Sequence, residues 1–380
     1  MIAPAQDTLH SMEAPAAAGA IVIRPATLAD NDELLALTRV TPMPGAISLR
    51  IDRDPDFFAL LRMRGEALVY VATCDGRVIG SISGTIHAAY VNGVAERIAY
   101  VGDLKVHPAF AGRRISVRLI ATLQEHLKAE GVDLTYNVVA KGNGRVLKFT
   151  AKKHVSRGVV ALGDFINDEI LASPFAKRSK RYSIAEAKRE DLAEIVQLID
   201  QVRRKRMFGR HVTMAELERV TDASRNLNFA KILVARQAGC IKATLTVEDT
   251  GLFKRNVLMS APPLLRAVLS VLRVARIVIP KLNIPRVGGS LEMLYVRYMA
   301  CEDGHEEAFV PLLAEARAEA FRRGSSFVSV GLHENDPYRA AVSGLPRFTF
   351  RSVAVSNSIF TTDRVRDLTA SVPFEDFALV

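Results

Sequence analysis

Two stretches of the chain share one order of apolar and polar positions. In residues 21–38, an apolar strand-like run is followed by a Thr/Asp cap region and then by apolar residues at helical spacing. Residues 182–199 repeat that order, and Asp30 matches Asp191 at the same offset that aligns the apolar positions. The pattern predicts a strand followed by a helix at both places.

A hairpin pattern follows each of these stretches. Residues 68–86 alternate between apolar and polar positions on both sides of Asp75-Gly76, and residues 232–247 do so around Gly239. Two divergent copies of one module explain these matches better than one large domain does. Two unrelated units of mixed helix and strand are the alternative.

The predicted fold class is α+β (α/β), with two tandem domains, each a mixed, mostly antiparallel sheet flanked by helices. The domains are predicted at residues 21–172 and 182–365, because the polar, basic segment 173–181 is typical of a linker. Residues 1–20 and 366–380 are predicted to be tails. The first of these tails is rich in Ala and Pro and lacks the basic start and apolar core of a signal peptide.

Composition limits the classes of function. The 380 residues are 49% hydrophobic, enough for two packed cores, and the formal net charge of +10 favours anionic ligands, acidic proteins or anionic membranes. Cys74, Cys240 and Cys301 lie far apart, so neither a disulfide framework nor a zinc site is predicted, and a cytoplasmic location is expected. No apolar run has the length of a transmembrane helix. Only the charge and the RRKR stretch at 203–206 favour nucleic-acid binding, which is not predicted.

A basic loop lies between a predicted strand and a predicted helix of the first domain. The strand covers residues 97–106, Pro108 ends it, and apolar positions at helical spacing begin at Ile115. The loop therefore brings backbone N–H groups and the side chains of Arg113 and Arg114 to a helix N-terminus. Such a place favours anions, and a pyrophosphate would suit it.

This order of elements resembles the GNAT superfamily of N-acyltransferases, whose loop motif is Gln/Arg-x-x-Gly-x-Gly/Ala. The motif falls on Ala111, Gly112, Arg113, Arg114, Ile115 and Ser116. The resemblance implies that the loop amides hold the pyrophosphate of acetyl- or acyl-coenzyme A. It also implies that the strand backbone at Leu104, Lys105 and Val106 pairs with the pantetheine arm. Asn143 resembles the asparagine that opens the family's last helix.

The loop departs from the family motif at three positions. Ala111 replaces the first Gln or Arg, Arg114 the central Gly, and Ser116 the last Gly or Ala. A side chain at position 114 restricts the backbone and crowds the phosphates, but Arg113 and Arg114 can compensate by bonding the phosphates directly. The anion site is therefore favoured over arginines that only face solvent.

The equivalent loop of the second domain is acidic. Glu306 and Glu307 stand where the first domain has its arginines, and Phe309 stands where the first has Ser116. Carboxylates would repel a pyrophosphate, and the phenylalanine would block close approach of the backbone. The second domain is predicted to have lost the cofactor site.

Asp103 is the predicted catalytic base, because it lies on the strand that the resemblance assigns to the cofactor. Glu96 and His107 are the alternatives. The family commonly has a tyrosine seven residues beyond the asparagine, where this chain has Thr150, a poor acid. No metal site is predicted.

An insertion at residues 257–285 matches nothing in the first domain and predicts a helix from about 263 to 278. One narrow face carries Arg266, Ser270, Arg273 and Arg276; the broad apolar face carries Leu265, Val268, Leu269, Leu272, Ala275 and Ile279. Packing is favoured, with a homodimer that buries Leu265, Leu269 and Leu272. Contact with an anionic membrane, or a tunnel for a long acyl chain, is the alternative.

The resulting hypothesis is an enzyme that transfers an acyl group, with acetyl-CoA as the expected donor, to the amine of an unidentified small-molecule or peptide acceptor. One alternative is an enzyme like the N-acyl amino acid synthases, which takes long acyl chains from coenzyme A or acyl carrier protein. The other is a catalytically silent module that binds coenzyme A or regulates another protein.

Overall fold

The computed structural model describes residues 19–43, 45, 47–144, 158–177, 179–221, 229–275, 283–361, 364–369 and 371–380. Thr150, Arg276 and Ile279, which the sequence analysis singled out, lie outside these residues, as does nearly all of the predicted N-terminal tail.

The first part of the chain alternates strands with three described helices. Its strands are β1 (Ile21–Pro25), β2 (Ser48–Asp52), β3 (Glu66–Cys74), β4 (Arg77–Val91), β5 (Val94–Val106), β6 (Leu134–Ala140) and β7 (Val159–Leu171). Its helices are α1 (Asn31–Val40), α2 (Ala59–Arg64) and α3 (Ile115–Ala129). The predicted strand and helix at 21–38, the hairpin and the strand before the basic loop are confirmed.

The second part repeats this order. Its strands are β8 (Ser183–Glu186), β9 (Gly209–Arg210), β10 (Ala230–Gln237), β11 (Cys240–Asp249), β12 (Arg255–Ser260), β13 (Met293–Cys301), β14 (Phe327–His333) and β15 (Arg347–Ser358). Its helices are α4 (Leu192–Arg204), α5 (Met214–Thr221), α6 (Pro263–Ala275) and α7 (Phe309–Arg322). No helix in the described ranges has the length and hydropathy needed to cross a membrane.

One mixed, mostly antiparallel sheet of 13 strands runs through the molecule, in the order β1-β3-β4-β5-β6-β15-β7-β14-β13-β11-β10-β8, with β9 beside β4. The predicted fold class is confirmed. Strand β7 of the first half pairs with β14 of the second, and β15 of the second half pairs with β6 of the first. Because each half is completed by a strand of the other, the two halves cannot separate without breaking the sheet.

The residues after β15 pack inside the molecule, although the sequence analysis assigned 366–380 to a tail. Ala378 and Leu379 are buried, and Arg64 of α2 donates to the carbonyl oxygen of Leu379 at 2.8 Å and pairs with Glu375. Asp376 lies 2.8 Å from a guanidinium nitrogen of Arg297 on β13. This segment therefore contacts both halves of the chain.

Helix α6 begins at Pro263 as predicted. The apolar face that it exposes, however, differs from the face predicted to form a homodimer. Leu269 is buried against the core of its own chain. The side chain of Leu272 lies outside the described residues. The exposed apolar side chains of α6 are Leu264, Val268, Val271 and Val274. Leu269 therefore cannot belong to a dimer interface without unpacking the core, and the homodimer itself stays a prediction.

Candidate functional site

Strands β5 and β6 form a cleft because they pair over a short length only. Their parallel ladder contains Ala99 with Thr135 and Tyr100 with Tyr136, and beyond these pairs the strands diverge. The other edge of β5 stays bonded to β4 as far as Val106. The backbone of Leu104, Lys105 and Val106 therefore has no strand partner on the cleft side among the described residues. Such an edge can pair with an extended ligand that carries amides.

A backbone bulge accompanies this divergence. Asp103 has a φ of +50°, and the pairing of β4 with β5 shifts register opposite it. The second half repeats both features, with Tyr298 at +51° and a parallel ladder between β13 and β14 that ends at Tyr295. The internal repeat predicted from the sequence thus extends to this backbone irregularity.

The basic loop leads from β5 into α3. A 3-10 turn covers Pro108–Phe110, and the guanidinium of Arg113 lies 5.0 Å from the ring centroid of Phe110. Arg114 has a φ of +58°, in the left-handed region that favours glycine. The loop thus takes a glycine-like path at position 114, where the GNAT motif has its central glycine. Arg113 and Arg114 are both exposed.

The first turn of helix α3, next to this loop, has backbone N–H groups that are not used in the hydrogen bonds of the helix. Its first backbone hydrogen bond runs from the N–H of Arg118 to the carbonyl oxygen of Arg114, so the N–H groups of residues 115–117 precede the helical ladder. Ile115 is buried and holds the helix against β4, where a Cβ at Gly80 would lie 3.1 Å from the Ile115 side chain. Ser116 is half-buried and Ala111 is exposed. The predicted loop residues thus come together at one helix N-terminus.

Asn143 lies just beyond β6, and its backbone N–H donates to the carbonyl oxygen of Ala140 at 2.8 Å. It is therefore at the end of the strand that forms the other side of the cleft. Residues 145–157, which include Thr150, lie outside the described part of the chain.

The carboxylate of Asp103 is already engaged. One oxygen lies 2.9 Å from the guanidinium of Arg53 and accepts a hydrogen bond from Ser83 at 2.9 Å, and the ammonium of Lys105 lies 3.6 Å from the other. Burial disfavours the charged carboxylate, but Arg53 and Lys105 outweigh burial and lower the pKa of Asp103 to about 2. A carboxylate with so low a pKa is a weak base at neutral pH. This geometry favours a positioning role over the predicted catalytic one.

The other candidates for the catalytic acid or base also interact with neighbouring groups of the protein. Glu96 pairs with Arg364, and the ring of His107 accepts a hydrogen bond from the N–H of Ala109 at 3.3 Å. Tyr100 and Tyr136 pack edge to face with their centroids 5.2 Å apart, and burial raises the pKa of Tyr100 to about 12. The hydroxyl of Tyr100 therefore does not lose its proton easily near neutral pH.

A buried polar row on β4 was missed by the sequence analysis. Ser81, Ser83, Thr85 and His87 alternate with the residues that face α3, so they lie on the opposite face of the sheet. Nδ1 of His87 donates to the carbonyl oxygen of Thr85 at 3.1 Å. Thr85 Oγ1 and His87 Nε2 have no hydrogen-bond partner among the described residues. Burial lowers the pKa of His87 to about 3, so its Nε2 keeps a lone pair that can accept a hydrogen bond from an N–H group.

The corresponding cleft of the second half is narrowed by side chains and keeps a cavity of about 40 Å³ between β13 and β14. The hydroxyl oxygen of Tyr338 accepts a hydrogen bond from the backbone N–H of Cys301 at 3.3 Å, at the end of β13. The Tyr338 ring packs on buried Phe309, with 4.4 Å between centroids. Glu307 pairs with Arg181 beside this cleft. Tyr338 therefore covers the end of the β13 edge at Cys301.

Comparison with known proteins agrees with these features. The sequence model of the acetyltransferase (GNAT) family matches residues 35–154, whereas the curated proteins give no match. N-myristoyltransferase of Saccharomyces cerevisiae with bound myristoyl-CoA has a TM-score of 0.60 at 11% identity, covering 93% of this chain and 89% of that chain. A tandem GNAT protein from the clavulanic acid biosynthesis pathway has a TM-score of 0.57 at 15% identity, and the match covers 90% of this chain and 99% of that chain. A GCN5-related N-acetyltransferase from Anabaena variabilis has a TM-score of 0.51 at 11% identity, and the match covers 90% of this chain and 73% of that chain.

At these identities the solved structures show a shared fold, and the family model matches residues 35–154. The first half of the chain therefore contains a GNAT-family domain, and the chain has the fold of two tandem GNAT-like domains.

Proposed function

We propose that the chain transfers an acyl group from acyl-coenzyme A to an amine, in the cleft between β5 and β6. The observation that carries this proposal is the divergence of these strands next to the basic N-terminus of α3. Acetyl-CoA is the proposed donor, because the matching family model describes acetyltransferases. The yeast enzyme of similar fold holds myristoyl-CoA, so comparing acetyl-CoA with myristoyl-CoA tests the acyl length.

The proposed mechanism gives separate tasks to the two faces of the sheet. The N–H groups of α3, with Arg113 and Arg114, bind the pyrophosphate, and the open edge of β5 pairs with the pantetheine amides. The acceptor approaches the buried polar row, where His87 Nε2 accepts a hydrogen bond from its N–H. The amine nitrogen then attacks the thioester carbon, the C–S bond breaks, and the proton lost by the amine passes through water to the departing thiolate.

Asp103 is assigned a positioning role in this mechanism. Its pKa of about 2 keeps it ionised, so it holds Arg53 and Lys105 at the bulge beside the cleft. Their positive charges favour the negative charge that develops on the oxygen and sulfur of the thioester.

Isothermal titration with coenzyme A should give one site per chain, because within the described residues only the first cleft combines an open strand edge with a basic loop. We expect the double variant Arg113→Glu with Arg114→Glu to bind about 100-fold more weakly, since it replaces two charge-assisted contacts with repulsion. The matched control is Lys188→Glu with Arg189→Glu, the same charge change at two exposed side chains of the second half. Two equivalent sites, or unchanged affinity in the first variant, would contradict the assignment.

Measurements of coenzyme A binding and of acyl-CoA turnover distinguish the proposed enzyme from the catalytically silent alternative. Release of free coenzyme A from acetyl-CoA should increase when a mixture of amines is added. Tight binding with no such increase for either acyl donor would favour a binding or regulatory module.

A further inference from the structure

Helix α6 has an apolar face that points away from the core. Its buried side chain Leu269 packs in the cluster that contains Leu49 of β2 and Leu258 of β12. An apolar row of four side chains, each between 47% and 78% exposed, is formed by Leu264, Val268, Val271 and Val274. Their spacing of three or four residues places them along one face, roughly opposite Leu269. A contiguous apolar row is unusual on a surface that contacts only water.

Two arginines lie beside this apolar row. Arg266 and Arg273 are seven residues apart, so they share one direction, between the buried face and the exposed apolar face. Arg273 donates to the hydroxyl oxygen of Ser270 on the same helix at 2.6 Å, and no ion pair of the described residues includes either arginine. The helix itself contains no acidic residue. It therefore carries an apolar surface next to positive charge.

The basic character continues on both sides of the helix. Residues 255–291 contain six Lys and Arg but no Asp or Glu, although the chain has 41 Asp and Glu among its 380 residues. Arg255, before α6 in the sequence, and Arg286, after it, are both exposed. A segment of this composition favours a partner that is both apolar and anionic.

We propose that α6 docks on the surface of an anionic lipid membrane, with the apolar row in the interface and the arginines among the headgroups. Amphipathic helices with arginine beside an apolar face bind in this way, and each cation near the surface adds to the attraction of anionic lipids. The long side chains of Arg266 and Arg273 can reach the lipid phosphates while their methylene groups stay in the apolar region. None of these residues belongs to the loop or strands proposed to bind coenzyme A, so the docking surface does not depend on the proposed function.

A second copy of the chain suits this face less well than lipid does. A two-fold dimer brings the same surface of both copies together, so Arg266 and Arg273 would approach the same arginines of the other copy. Because residues 255–291 contain no carboxylate, these like charges would meet without a counter-charge from this segment. The phosphates of anionic lipids supply that counter-charge.

The test is sedimentation of the full chain with lipid vesicles. We expect binding to vesicles of equal parts phosphatidylglycerol and phosphatidylcholine, and at least about tenfold weaker binding to phosphatidylcholine alone. The double variant Leu264→Ser with Val271→Ser should bind the anionic vesicles about tenfold more weakly, because it removes apolar area without changing the charge. Arg266→Gln with Arg273→Gln should have a similar effect, because it removes the charges and keeps the apolar row.

The matched control is Leu28→Ser with Val94→Ser, the same kind of change at two exposed apolar side chains of the first half. Absence of binding to the anionic vesicles would overturn the proposal, as would a Leu264→Ser with Val271→Ser variant that binds as tightly as the control. Light scattering without vesicles examines the other occupant. A wild-type dimer that the same variant converts to monomers would assign the apolar row to a second copy and contradict the proposal.

A single-tryptophan variant decides if the serine variant does not fold. The chain has no tryptophan, so Val268→Trp introduces the only indole, at an exposed position of the apolar row. Its emission should shift to shorter wavelength when the anionic vesicles are added, and brominated lipids should quench it. The same substitution at Leu28 should show neither effect. A Val268→Trp chain whose emission stays unchanged with vesicles would refute the docking of α6.

Discussion

An Arg297→Met variant should lose about 3–5 kcal/mol of the free energy of unfolding, the range found when one partner of a buried ion pair is removed. Arg297 is 5% exposed, and its guanidinium lies 2.5 Å from Glu248 and 2.8 Å from Asp376. Methionine would fill part of the volume but would remove the guanidinium that the buried carboxylates of Glu248 and Asp376 both contact. Asp376 belongs to the segment that contacts both halves, so the loss should affect the whole fold.

Urea denaturation followed by circular dichroism measures this loss. Arg62→Met is the matched control, because Arg62 of α2 pairs with Asp56 at the exposed surface, where such pairs contribute about 1 kcal/mol or less. A loss at Arg297 no larger than that of the control would show that the buried pairs contribute little.

The elements predicted from the sequence are those encoded by neighbouring residues. The strand and helix at 21–38, the hairpin turn at Asp75-Gly76 and the loop before Ile115 each follow from local periodicity and turn residues. The pairing of β7 and β15 with strands of the other half does not follow from local sequence. Periodicity predicts which residues form a strand, but not which strand becomes its partner. The packing of residues 373–380 was missed for the same reason, since its contacts, such as Arg64 with Glu375, join residues far apart in the sequence.

The residues of the candidate site also include some that the local sequence predicts and others that depend on contacts between distant parts of the chain. The loop residues come together because they are consecutive, so their sequence was sufficient to place them. The surroundings of Asp103 were not predictable, because Arg53 precedes it by 50 residues. The polar row on β4 had a usable signal, since the stretch from Ser81 to His87 places a small polar or imidazole side chain at every second position. A strand predicted to be central should bury such a row, which makes it a candidate site.

An Asp103→Asn variant should lose about 3–5 kcal/mol of the free energy of unfolding at neutral pH, because it leaves Arg53 and Lys105 without their shared carboxylate. The pKa of Asp103 is about 2 in the folded chain, against an ordinary value of 3.8. The carboxylate therefore contributes its full stabilisation above about pH 4, and this contribution is lost as the pH falls through 2. The difference in stability between wild type and variant should accordingly be constant from pH 7 to about pH 5 and narrow in stronger acid.

The rate of acyl transfer distinguishes the two roles of Asp103. If it positions Arg53 and Lys105, Asp103→Asn should lower kcat and leave the shape of the pH–rate profile unchanged, because no group that titrates near neutral pH has been removed. Ser83→Ala is the control, since it deletes one hydrogen bond to the same carboxylate and should cost about 1 kcal/mol of stability. A profile that loses its acidic limb in Asp103→Asn, while Ser83→Ala retains it, would show that Asp103 takes the proton and that the positioning role is wrong.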